Sequence, residues 1–75
     1  MTRRDDIARD LGQALRVRRR RLGLTQQDVA DLSGLARYTV GRVERGDAGV
    51  QLDTLTRIAD AVGLTVSLST RYRES

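Results

Sequence analysis

Apolar residues return along most of this chain at intervals of three and four, the period of a helix with one face turned to a core. Ile7, Leu11, Ala14, Leu15 and Leu22 keep that spacing through residues 5–22, with one gap at Arg18. They predict a first helix that Gly23 ends. Thr25 has an N-capping side chain, and Asp28 stands three residues on as a weaker form of the capping-box acid. These predict a short second helix from Gln26 to Ser33, with Val29 and Ala30 inward and Gly34 as its stop. A third helix is expected from about Arg37 to Arg45, with Val40 and Val43 inward and Gly46 as its cap. Gly46-Asp47-Ala48-Gly49 reads as a loop. Leu52, Leu55, Ile58, Ala59 and Val62 then mark a fourth amphipathic helix, closed by Gly63.

After Gly63 the period changes. Leu64-Thr65-Val66-Ser67-Leu68-Ser69-Thr70 alternates apolar and polar, and five of its seven residues are Thr, Ser or Val, which predicts a strand. A single strand in a helical chain leaves its backbone N–H and C=O groups without partners. Either the segment frays, as termini commonly do, or it pairs with its own copy across a twofold axis. The expected architecture is all-α, a compact domain of four to five helices over residues 1–63. A strand and tail follow over residues 64–75, with Leu64, Val66 and Leu68 as the dimerisation residues.

Composition narrows what such a fold can do. Seventy-five residues allow one small domain. Domains of that size bury only about three-fifths of their unfolded surface, so they lean on a disulfide, a metal or a partner subunit. The chain has no Cys and no His, which removes the disulfide and the zinc site and leaves a second copy as the staple. The same absences remove the ordinary triad, the thiolate nucleophile and the imidazole base. The acids are scattered, and so short a chain hardly walls off a substrate cavity. No enzymatic activity, metal or cofactor is expected. No apolar run approaches membrane-spanning length, and Met1-Thr2-Arg3-Arg4-Asp5-Asp6 lacks the apolar segment of a signal peptide. The expected setting is soluble and cytoplasmic, at the nucleoid.

Charge adds a direction. Fourteen basic residues, all Arg, against ten acids give a net charge of +4 and a pI near 11.0. The bland explanation for Arg over Lys is a GC-rich genome, yet the sign suits a polyanionic partner, and Arg grips phosphate and guanine bidentately. The charge is also uneven. Residues 3–21 hold eight Arg against three Asp, and residues 36–46 hold three Arg against one Glu, whereas the second and fourth helices are net acidic.

Residues 24–46 carry the functional signal. They describe two short helices around a tight turn, with Ala30 small enough for a close crossing and Gly34 able to take the left-handed conformation of a sharp reversal. Leu35, Val40 and Val43 are placed to fill the angle between the helices. Such a hairpin with a Gly turn is the helix-turn-helix pattern. The stretch resembles the phage-repressor helix-turn-helix family, the Cro, lambda-repressor or XRE type. The resemblance rests on Leu24-Thr25-Gln26, Ala30, Gly34, Val40 and Val43-Glu44-Arg45-Gly46, with Leu52 to Gly63 matching the helix that follows. It extends over roughly residues 11–64.

The resemblance implies double-stranded DNA as the partner and assigns roles. Gln26 meets a phosphate at the start of the first motif helix, with Thr25 beside it and Thr39 also near the sugar-phosphate backbone. Arg37, Tyr38 and Arg42 lie over base edges in the major groove, and the two Arg suit the O6 and N7 acceptors of guanine. The bland alternative for Arg37 and Arg42 is a solvated helix face; for Tyr38 it is a ring lying along the helix. Glu44 occupies the family's acidic position, and the resemblance sets Arg19 of the first helix against it. The rest of the run Arg18-Arg19-Arg20-Arg21 is either a solvated face or a phosphate rim. Three positions depart from the pattern: Ala36 where an N-capping Ser or Thr is common, Gly41 in mid-helix, and Arg18 where many relatives are apolar.

Leu64-Thr65-Val66-Ser67-Leu68 directly after Val62-Gly63 is similar to the HipB-like antitoxins, which implies a homodimer on a palindromic operator that also holds a HipA-like kinase toxin. The competing reading is a protein-binding adaptor that acts mainly by sequestering such a partner. Arg37 and Arg42 separate the two, because an adaptor has no need of them on a reading face.

Overall fold

A computed structural model describes residues 3–68, and among them lie four helices. Helix α1 runs Arg3–Arg21, α2 Gln26–Ser33, α3 Arg37–Glu44 and α4 Leu52–Ala61. No fifth helix occurs among the described residues. Helix α2 packs on both α3 and α4, and α1 packs on α3. The shared core is Leu15, Val29, Ala30, Val40, Val43, Ile58, Ala59 and Val62. The inward residues expected of α2 and α3 are therefore the ones buried.

Helix α1 differs from its apolar pattern. Its buried residues are Gly12, Leu15 and Arg19, three and four apart on one face. Ile7 and Leu22 remain 49% and 45% exposed. Gly12 explains the shift. A Cβ there would fall on the carbonyl oxygen of Val43 and stand 3.0 Å from that of Glu44, so only glycine lets α1 approach the backbone of α3 this closely. The face that carries Gly12 turns inward, and part of the apolar stripe stays outside.

The ends of α2 follow the expected chemistry, whereas α3 is capped by Arg45, in a right-handed conformation, and not by Gly46 as expected. Thr25 caps α2, its hydroxyl oxygen accepting from the Asp28 N–H at 3.0 Å while the Thr25 N–H donates to Asp28 Oδ2 at 2.8 Å. Gly34 closes α2 with φ of +72°, the left-handed conformation that turns the chain sharply into α3. Arg18, expected on a solvated face or a phosphate rim, instead donates from Nε to the Val62 carbonyl at 2.9 Å. It thereby satisfies an open carbonyl at the end of α4.

Residues 64–68 form no strand in the single chain. The Leu64 N–H returns to the Ala59 carbonyl at 2.8 Å, Leu64 and Val66 lean on the core, and Leu68 is fully exposed. The physical reason is the one that made the segment notable. A strand is defined by its neighbour, and the helices here offer no open edge. The rest of the predicted strand and tail, residues 69–75, lies outside the described residues.

Candidate nucleic-acid interface

The capping box of α2 and the Gly34 turn set α3 across the domain surface with one side buried and one open. Val40, Gly41, Val43 and Glu44 are buried, while Arg37 and Tyr38 are exposed and Thr39 and Arg42 half-buried. Tyr38 is 70% exposed. Ala36 stands at the N-cap without a side-chain hydrogen bond, so this helix start lacks a bond worth about 1 kcal/mol. The backbone N–H groups at such an end point outward, a favourable place for an anion.

Beneath α3, Arg19 grips Glu44 by both ends. Its Nε donates to Glu44 Oε2 at 2.7 Å and its Nη2 to Oε1 at 3.0 Å, while Nη1 reaches the Leu24 carbonyl at 2.8 Å. Gln26 Nε2 adds a bond to Glu44 Oε1 at 3.2 Å. The cluster ties α1, the start of α2 and the end of α3 together, and no buried side-chain polar atom among the described residues lacks a partner. Burial pushes the Glu44 carboxyl upward, but hydrogen bonds from Arg19 and Gln26 and the charges of Arg19 and Arg16 outweigh it. The net result lies below the ordinary value. The Gln26 side chain, assigned to a phosphate by the resemblance, is turned toward Glu44 instead. Its place as the first residue of α2 still puts its backbone N–H at a helix N-terminus.

On the open side, Arg42 is held by the loop that follows α3. Its Nε and Nη2 both donate to Asp47 Oδ2, at 2.8 and 2.5 Å. The other carboxylate oxygen, Oδ1, accepts the Gly49 N–H at 2.8 Å. These bonds hold the Asp47 carboxyl below its ordinary value, the Gly49 N–H contributing most and Arg42 next. Arg45 completes the face. Gly41, having no side chain, lets the Arg45 guanidinium fold back along the helix, where it lies 5.9 Å from the centre of the Tyr38 ring.

The arrangement therefore gathers Arg37, Tyr38, Arg42 and Arg45 on the outer side of one short helix, with Thr25 and Gln26 at the start of the neighbouring helix. Its chemistry is that of a cationic, hydrogen-bond-donating ridge. Among the described residues no group of His, Cys, Asp or Glu is placed to hold a metal ion, and no helix is long and apolar enough to cross a membrane. Two participants escaped the sequence reading. Asp47 lies five residues beyond Arg42 in a loop, outside the helical spacings that flag an ion pair. Arg45 is positioned by Gly41, a residue type that carries no charge signal.

Residues 10–70 match the sequence profile of a helix-turn-helix domain family. The chain is 38% identical over 61 residues to the control protein C.SmaI of Serratia marcescens, covering 81% of this chain and 73% of that protein. It is 36% identical over 58 residues to the competence pilus inhibition repressor of Acinetobacter baylyi, covering 77% and 53% respectively. The fold superposes with a TM-score of 0.71 on the crystal structure of the restriction-modification controller protein C.AhdI from Aeromonas hydrophila. That match is 41% identical and covers 79% of this chain and 89% of the other. The chain spans about half the length of two of the curated relatives it matches.

Proposed function

This chain belongs to the helix-turn-helix family of transcriptional regulators, and from that membership we propose that it is a sequence-specific repressor. In this reading α3 enters the major groove, Arg37 and Arg42 address guanine edges, and Tyr38 packs on a sugar or a thymine methyl. Thr25, Gln26 and Thr39 meet the phosphates, and the Arg19–Glu44 pair holds α3 to the body of the domain. The observation that carries the reading is the outer side of α3, which sets two exposed or half-exposed Arg beside an exposed Tyr on a helix whose inner side is wholly committed to the core.

The regulator acts as a homodimer. The half-buried Leu11 and the exposed Ala14 of α1 adjoin the segment after α4: Leu11, Ala14, Leu15, Leu55, Leu64 and Val66 line one groove between them. An apolar groove on so small a domain, beside a segment with alternating apolar residues, suits a second copy of the same surface. In the dimer residues 64–68 pair as strands through Leu64, Val66 and Leu68. The dimer bears two recognition helices about 34–36 Å apart and binds an inverted repeat.

The HipB-like antitoxin is the finer form of this reading, in which the same dimer holds a HipA-like kinase. Its support is the segment after Gly63, and the repressor reading does not depend on it. Selection of duplexes from a random pool by the full chain tests the repressor directly. The expected product is an inverted repeat with G·C pairs in each half. A pool that stays unenriched overturns the reading.

A further inference from the structure

Arg42 faces outward from α3, yet its guanidinium is not loose. The Nε and Nη2 groups converge on one oxygen of Asp47, whose other oxygen is fixed by the Gly49 N–H. Both side chains remain partly open to solvent, at 36% for Arg42 and 38% for Asp47. A pair at that exposure contributes little to folding, and the loop carries a carboxylate into a face that otherwise collects cations. On an anion-binding surface, an acid is a liability unless it serves the cation beside it.

Guanidinium chemistry gives the use. Arg presents donors along two forked edges, Nε with Nη2 and Nη1 with Nη2. Asp47 occupies the first edge. The second, with Nη1 and the remaining hydrogen of Nη2, makes no bond among the described residues. That edge matches the paired O6 and N7 acceptors of guanine, and a side chain already fixed by its other edge loses less freedom on binding. We propose that Asp47 is a specificity-determining positioning residue. It anchors Arg42 through the inner edge so that the outer edge reads a guanine in the major groove. By cancelling part of the charge, Asp47 also lowers the gain from phosphate alone and raises the ratio of specific to nonspecific binding.

The proposal rests on the DNA-binding reading above, and its test separates the two. The full chain is titrated by fluorescence anisotropy against the duplex it selects from a random pool. A scrambled duplex and a series with one base pair changed at each half-site position accompany it. Asp47→Ala, Asp47→Asn, Arg42→Ala and the Arg42→Ala/Asp47→Ala double variant are compared with wild type, each shown to be folded by its circular dichroism melt. Asp47→Ala is expected to weaken binding to the selected duplex on the order of tenfold, while binding to the scrambled duplex holds or strengthens. The lost preference maps to the same G·C pair that Arg42→Ala releases, and in the Arg42→Ala background Asp47→Ala costs nothing further.

Asp47→Asn keeps an acceptor for the Gly49 N–H without the charge, and it too is expected to lose preference. Full preference in Asp47→Asn would place the effect in the loop and overturn the proposal. Equal losses on both duplexes, or an undiminished effect without Arg42, would do the same. A wild-type chain that prefers no duplex overturns the DNA-binding reading and this proposal together. A wild-type chain with a clear preference that Asp47→Ala leaves untouched overturns the proposal alone.

Discussion

On the inner side of α3 the Arg19 and Glu44 side chains are 10% and 4% exposed, and on the outer side those of Arg42 and Asp47 are 36% and 38% exposed. Both pairs join an Arg to a carboxylate by two N–H donors, and both are close. Their surroundings make them different devices. Inside, the charges have left water, so each depends on the other and on the bonds from Gln26 and to the Leu24 carbonyl. Outside, water competes for both partners, and the pair fixes a direction more than it stabilises the fold. One interaction type thus serves architecture on one side of a helix eight residues long and orientation on the other.

Removing an inner partner should have the largest effect. Glu44→Ala leaves the Arg19 charge buried and alone, and unfolding stability is expected to fall by about 3 kcal/mol, read from urea titration. A loss no larger than that of a surface Arg57→Ala variant would show that the pair does not pin α3. Gly12→Ala follows. Its methyl group collides with the Val43 carbonyl, and the strain is expected to cost roughly 1–3 kcal/mol in the same titration. An unchanged midpoint would mean that α1 and α3 separate freely.

Acid should distinguish the inner pair next. The Glu44 carboxyl lies below its ordinary 4.5 in the folded chain, so its contribution is fully present above the unfolded carboxylate range. It is lost as pH falls through the lower folded value. Stability measured from about pH 7 downward is expected to decline less steeply in Glu44→Gln than in wild type across that acid range. Parallel declines would remove Glu44 from the acid response. The smallest effect on stability belongs to the outer pair: Asp47→Ala is expected to leave the melting midpoint unchanged. A midpoint lowered as far as that of Glu44→Ala would erase the distinction between the two sides.

Much of this organisation is legible in the residue pattern. Thr25 and Asp28 announce the start of α2, Gly34 its end, and Val29, Ala30, Val40 and Val43 the faces that meet. Local chemistry determines each of these, so neighbouring residues suffice to read them. Helix α1 resists because its buried face is built from a glycine and an arginine around Leu15, and neither adds to an apolar count. Arg18 is read as part of a charge run because its acceptor, the Val62 carbonyl, lies 44 residues away. Arg19 and Glu44 are 25 residues apart, and only a family resemblance places them together. The segment after Gly63 poses a different problem. Its alternation predicts a strand, and residues 64–68 of the single chain form none.

The central claim is that the outer side of α3 reads DNA, and the Arg37→Ala/Arg42→Ala double variant tests it most directly. Wild type and variant are titrated at one salt concentration against the selected duplex and a scrambled one of equal length. The expected result is a strong preference in wild type that collapses in the variant, leaving weak, salt-sensitive binding to both duplexes. Preference that survives the loss of both arginines would contradict the account and move the reading surface elsewhere.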